Sequence, residues 1–214
     1  MEILKKTAIV ILLLSASVAA RAEIYLGARY GAALSLIYFK PYQNERSIVA
    51  PVNAALAFRY CNEHAQDYER YVNFLWEFGY GERGYNLGDS AAVKFRSRTL
   101  EMPVMMQARI PVVKHVNVLV TGIVYGAYYL HTDEVPEGQF TKAFSEPLVY
   151  NFNGFEYGVG GGLGLCLNFG RTDFALDARY MASMSYLFKP KIYLYESMPM
   201  QIVFSFSVMR KIGK

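Results

Sequence analysis

Eight side chains in this sequence invite a chemical reading. Four are arginines (Arg29, Arg59, Arg109 and Arg179) and four are carboxylates (Glu77, Glu101, Glu156 and Asp177). Two carboxylates facing one cavity are the minimum for acid–base chemistry of the glycosidase kind, and Glu77 with Glu101 is the pair to consider. Arginines on the same face change that expectation, because a nearby guanidinium holds a carboxylate ionised while a general acid must keep its proton. Equal numbers of each sign suggest a neutral, interlocked network instead, since a buried charge is tolerated only when paired. No catalytic residue is expected from this set.

Other local signals are weaker. Gly79-Tyr-Gly81-Glu-Arg-Gly84 spells the dinucleotide fingerprint, but that fingerprint must open a helix, and Tyr85-Asn-Leu-Gly-Asp-Ser reads as strand end and turn. His64, His115 and His131 form no close-spaced metal pair, and no metal or cofactor is expected. His131 with Ser145 is the one pairing that would suit a hydrolase acting on lipid, yet no lipid-deacylase histidine–serine motif surrounds His131-Thr-Asp-Glu. Cys61 and Cys166 fall on the second and sixth strands described below. They are expected as free thiols, because a disulfide needs Cα atoms within about 7 Å.

The elements that must position these residues are strands. In Phe155–Phe169 the odd positions are Phe, Tyr, Val, Gly, Leu, Leu, Leu and Phe, and the even ones Glu156, four glycines, Cys166 and Asn168. Successive side chains of a strand point to opposite faces, so one face is apolar and the other small and polar. The same alternation predicts strands at 24–39, 52–62, 70–86, 95–110, 116–130, 155–169, 173–188 and 200–210. The fifth is the least regular, with Leu119 and Ile123 on its polar side. Connections alternate long (40–51, 87–94, 131–154, 189–199) and short (63–69, 111–115, 170–172). An even strand number with alternating loop lengths is the pattern of an all-β, eight-stranded antiparallel up-and-down transmembrane β-barrel.

A soluble lipocalin-like barrel would alternate in the same way with its apolar face inward. Three features favour the membrane. The lysines after residue 22 (40, 94, 114, 142, 189, 191, 211, 214) fall in the predicted loops or at the C-terminus. The polar face is rich in Gly, Ala and Ser, which suits a crowded interior. The apolar face carries aromatics near both strand ends, with Tyr38, Tyr80, Tyr128, Phe155, Tyr186 and Phe188 at the outer end and Tyr60, Phe169 and Phe174 at the inner end. Such paired girdles are favoured at membrane interfaces.

Residues 1–22 read as a signal peptide. Lys5 and Lys6 precede an uncharged run from Ala8 to Ala20, and Ala20-Arg-Ala22 fits a small-x-small cleavage site. The run is short for a spanning helix. Residues 23–214 then form the barrel domain. Hydrophobic residues make up 53% of the chain and charged ones 19%, which is apolar for a domain with no later spanning helix. Without Lys5, Lys6, Arg21 and Glu2, the 22 basic and 18 acidic residues become 19 and 17, too even a balance for nucleic-acid binding.

Several strands together resemble the PorT-like outer-membrane β-barrel family. Leu100-Glu-Met-Pro-Val-Met-Met is similar to that family's fourth strand, Gly122-Ile-Val-Tyr-Gly126 to its fifth, Gly158–Gly164 to its glycine-rich sixth and Phe174-Ala-Leu-Asp-Ala-Arg-Tyr180 to its seventh. The resemblance spans Glu23 to Arg210. It implies an integral outer-membrane scaffold, and some members of the family assist protein secretion. The C-terminus departs from the pattern, ending Phe206-Ser-Val-Met-Arg-Lys-Ile-Gly-Lys214 without a terminal aromatic.

Eight strands enclose room for side chains or one small ligand, so the eight charged residues are expected to plug the lumen. The strand-six glycines are expected to clear space for Arg29 or Arg59. Long irregular segments in compact domains are often functional. In 131–154, His131, Asp133, Glu134, Phe140, Phe144, Tyr150 and Phe152 mix charge with aromatics, as a protein or glycan partner would require. Arg96 and Arg98, outward near the outer rim, would meet lipid phosphates. The reading is a non-enzymatic scaffold or accessory in outer-membrane lipid; the alternatives are a lipid-modifying hydrolase and a narrow solute channel.

Overall fold

The alternation closes into a ring. The computed structural model describes residues 22–40, 45–62, 72–87, 93–136, 153–187 and 196–212. Within them lie eight strands: β1 (Ala22–Lys40), β2 (Glu45–Asn62), β3 (Val72–Leu87), β4 (Val93–Val113), β5 (Val116–Pro136), β6 (Phe155–Phe169), β7 (Thr172–Ser183) and β8 (Glu196–Ile212). Each pairs antiparallel with the next, and β1 pairs with β8 from Ile24↔Ile212 to Lys40↔Glu196, closing the barrel. Closure satisfies every strand edge, which is what lipid demands of a β-structure. Residues 1–21 of the expected signal peptide 1–22 lie outside the described residues, and Ala22 begins β1.

Side-chain direction decides between membrane and water. Leu163 and Leu176 are 65% and 62% exposed, whereas Arg29, Glu77 and Glu101 are 4%, 1% and 3% exposed. Grease is outside and charge inside, the reverse of a soluble barrel. Leu119 and Ile123, which break the polar pattern of β5, do point inward. They join apolar groups that fill part of the interior; Ile123 packs in the one that includes Tyr25, Leu75, Met105, Tyr125 and Met181. Tyr38, Tyr128, Phe155 and Tyr186 are exposed towards the outer end and Phe169 towards the inner, with Tyr80, Tyr60 and Phe174 half-exposed. Phe188 lies outside the described residues.

Two of the short connections are two-residue turns at the inner end, Lys114–His115 and Gly170–Arg171. Each contains a residue in the left-handed region, His115 at φ 78° and Gly170 at φ 63°. Gly170 adopts it without a Cβ penalty. His115 is held there by its neighbours: its ring stacks on Phe169 at 6.3 Å, and its Nδ1 lies 3.1 Å from the Asn168 carbonyl oxygen.

Several strands run beyond the extents that alternation predicts. β2 begins at Glu45, ahead of the predicted 52, because a register break between Ser47 and Asn53 absorbs Pro51 and lets pairing with β3 resume. β8 begins at Glu196, while β7 ends at Ser183 and continues through bends to Leu187. β5 runs to Pro136, so His131, Asp133 and Glu134 are strand residues and not loop residues. They sit opposite Arg98, Arg96 and Phe95 of β4. Lys40 and Lys94 likewise belong to strand ends. Above the lipid a ladder needs only its backbone bonds, so polar residues extend it without the apolar period. β4 and β5 have 21 residues each. At about 3.3 Å per residue and a tilt near 40° this gives roughly 50 Å of height, about twice the apolar band of an outer-membrane barrel.

The glycines of β6 make room for near neighbours and not for Arg29 or Arg59. A Cβ on Gly158 would lie 2.7 Å from the Tyr125 ring and 2.2 Å from the Ala182 carbonyl oxygen, and one on Gly164 would lie 2.9 Å from Asp177 Cβ. β6 pairs with β5 and β7, and it is their inward side chains that need the space.

Candidate functional site

Inward parity delivers charged side chains from opposite walls to the barrel axis. Arg29 of β1 donates from Nε to Glu77 Oε2 at 2.9 Å and from Nη1 to Asn53 Oδ1 at 2.5 Å. Arg179 of β7 donates from Nη1 to the same Glu77 oxygen at 2.9 Å and from Nε to Asp177 Oδ1 at 2.6 Å. β3 and β7 stand four strands apart in an eight-strand ring, so the Glu77–Arg179 bond spans the full diameter. Ser205 donates to Asp177 at 3.0 Å.

The chain of contacts continues outward. Asn53 Nδ2 lies 3.5 Å from Glu101 Oε2, and Gln201 Nε2 lies 3.5 Å from Glu101 Oε1. Arg83 donates to Glu101 Oε1 from Nη2 at 2.8 Å and from Nε at 3.1 Å, and its Nη1 pairs with Glu156. Tyr125 donates to Glu156 Oε1 at 2.6 Å, and Tyr129 donates to the other oxygen. Every carboxylate of this group therefore receives several donors, which offsets the desolvation of its charge.

A second group lies towards the two-residue turns. Asp173 of β7 pairs through Oδ2 with Arg59 of β2 and, at 2.9 Å, with Arg109 of β4. Asn168 donates to its other oxygen at 2.7 Å. The Arg59 guanidinium lies 3.9 Å over the Tyr25 ring, and Arg109 Nη2 donates to Cys166 Sγ at 3.0 Å. Cys61 and Cys166 are both free thiols.

Arg29, Glu77, Glu101, Glu156, Asp177 and Arg179 thus meet in the first group, and Arg59 and Arg109 in the second. Sequence reasoning omitted Arg83 and Asp173, which raise the count to five arginines and five carboxylates among the described residues. Arg83 shares the parity of Glu77, six residues earlier, and that signal was available. Of the outer segment, His131 is exposed on β5. Phe140, Phe144, Ser145, Tyr150 and Phe152 lie outside the described residues. Among the described residues no cluster of three or more His, Cys, Asp or Glu side chains is placed to hold a metal.

Residues 20–189 match the family described as outer membrane protein beta-barrel domain. No match is found among curated proteins. Among solved structures the chain is similar to Neisserial surface protein A, at 13% identity over 89% of this chain and 99% of that one, with a TM-score of 0.49. It is also similar to Ail, the attachment invasion locus protein of Yersinia pestis, in complex with the heparin analogue sucrose octasulfate, at 12% identity over 87% and 99% with a TM-score of 0.40. The outer membrane protein AlkL in lipid bilayers is 10% identical over 90% and 92%, again with a TM-score of 0.40. Since the family match spans most of the chain and takes in seven of the eight strands of a closed antiparallel ring, the chain belongs to the outer membrane protein β-barrel domain family.

Proposed function

We propose that this protein is a plugged outer-membrane scaffold of the PorT-like kind, which performs no bond-breaking chemistry and binds a protein or glycan partner through its outer loops. The observation that carries the reading is the diametric Glu77–Arg179 contact, in the larger of two groups that together pair five arginines with five carboxylates. Side chains committed to one another across the tube leave neither an ion path nor a free acid–base pair. The height of β4 and β5 supports the second half of the reading, because it carries their outer ends, Val93 and Pro136, well clear of the lipid. Export would proceed through cleavage after Ala22.

Planar-bilayer recording tests the plug. The parent protein passes no unitary current, whereas Glu101→Ala, which leaves Arg83 only Glu156 and opens the network, gives conductance steps or a destabilised barrel. Unitary steps from the parent protein would overturn the plugged reading. Partner capture is tested by deleting residues 137–152, which abolishes capture from whole cells while the heat-dependent gel shift of a closed barrel persists. Terminal sequencing of the exported protein is expected to begin at Glu23.

A further inference from the structure

The ladder between β2 and β3 has a gap. Pairing runs up to Asn53↔Gly81 and resumes only at Ser47↔Tyr85, so residues 48–52 face residues 82–84 without regular bonds. Pro51, inside the gap, has no N–H to offer. A cavity of about 100 Å³ opens there, and Pro51, Glu82, Arg83, Arg96, Ser97 and Arg98 are among its lining residues. Arg96 and Arg98 are exposed, and neither forms an ion pair among the described residues. Ser97 between them is 3% exposed and turned into the barrel, as strand alternation requires.

The level of this cavity in the membrane follows from register. Arg98 sits between Glu82 and His131, and the next outward-facing row below is Tyr80, Leu100 and Tyr128. Two residues along a strand are about 7 Å, so the arginines stand just above an aromatic row, at headgroup height. Beneath them a groove of about 640 Å³ runs down the lipid-facing wall of β1, β2 and β3. Its floor is Ala28 and Ala54, and its sides include Tyr30, Leu56, Phe78 and Tyr80. The pairs Ala28↔Leu56, Tyr30↔Ala54 and Ala54↔Tyr80 set each small side chain beside a large one, which is what makes the groove.

We propose that this wall holds one phosphate-bearing lipid of the outer leaflet, with its phosphate at Arg96 and Arg98 and an acyl chain over Ala28 and Ala54. Guanidinium forks match phosphate oxygens two at a time, and alternation along β4 puts Arg96 and Arg98 on the same outward face. Glu82 shares the cavity, and Asp133 is in register with Arg96. The site therefore has no broad positive field, and recognition rests on directed hydrogen bonds. An apolar groove alone would accept any chain; the arginines at its head select the phosphate.

Native mass spectrometry of the full-length barrel in detergent, incubated with lipid A, tests the site. Lipid A is expected to stay bound, and millimolar inorganic phosphate is expected not to displace it. Replacing both Arg96→Gln and Arg98→Gln lowers the bound fraction about tenfold. Ala54→Phe, which fills the groove, lowers it about threefold with the heat-dependent gel shift unchanged. Should the double arginine variant fail to fold, Arg98→Gln alone and Ala54→Phe decide with the same readout. Binding untouched by the folded variants would overturn the proposal, and displacement by inorganic phosphate would reduce the site to one for a free anion and overturn the lipid assignment.

Discussion

The two ion-paired groups inside the barrel are built on different plans. Side chains from all eight strands enter the outer group: Arg29, Asn53, Glu77, Arg83, Glu101, Tyr125, Tyr129, Glu156, Arg179 and Gln201. Charges there are shared, so Glu77 serves two arginines while Arg83 serves two carboxylates. In the inner group a single carboxylate, Asp173, serves both Arg59 and Arg109. Arg109 keeps 12% of its side chain exposed, and Arg59 Nε has no partner. Redundancy distinguishes the two groups. Loss of one member of the outer group strands charges that water cannot reach, whereas the inner group stands near the turns, where Arg109 already meets solvent.

The largest effect is expected at Glu77. Glu77→Ala leaves Arg29 without a carboxylate and removes the bond that spans the diameter. Breaking a buried pair by deleting one partner costs about 3–5 kcal/mol. The measurement is the urea midpoint of unfolding from lipid vesicles, together with the gel shift on heating. Asp173→Asn keeps the shape and removes the charge; its amide oxygen still accepts from buried Arg59 while Arg109 regains water, so the expected cost is about 2 kcal/mol. If Asp173→Asn proved more damaging than Glu77→Ala, the contrast between a shared and a single-centred group would be wrong. Tyr129→Phe comes next. Glu156 retains Arg83 and Tyr125, so the loss is one hydrogen bond to a charged group, about 1–2 kcal/mol in the same unfolding assay.

This contrast also marks how far the sequence speaks. Parity placed Arg29, Glu77, Glu101 and Arg179 on the inner face, since a strand in lipid cannot hide a charge on its other side. It did not pair them. Glu77 and Arg179 are 102 residues apart, and their meeting depends on the stagger of strands around the ring, which no local pattern encodes. Arg83 shared the right parity, but it lies among glycines beyond Tyr80, the last apolar residue on the lipid face of β3, where alternation fades. The same fading hid the outer parts of β5 and β8, because a ladder above the lipid is held by backbone bonds alone. Spacing makes the β6 glycines conspicuous, yet the side chains that need their room, Tyr125 and Asp177, become visible only with the register to β5 and β7.

The smallest effect sharpens the inner group's boundary. Lys211 of β8 pairs with Glu23 of β1, and Tyr25 donates to the same carboxylate at 3.1 Å. Tyr25 in turn lies under the Arg59 guanidinium, so Glu23 stands three contacts from Asp173. If charge were shared along that line, losing Lys211 would be felt at Arg59. The Lys211 and Glu23 side chains, however, keep 17% and 16% of their surface exposed at the strand ends, and solvent screens such a pair. Lys211→Ala is therefore expected to shift stability by under about 1 kcal/mol, and to add independently to Asp173→Asn in a double-mutant cycle. A coupling energy above about 1 kcal/mol would instead make Glu23 and Lys211 part of the inner group, and that group would then be shared in the manner of the outer one.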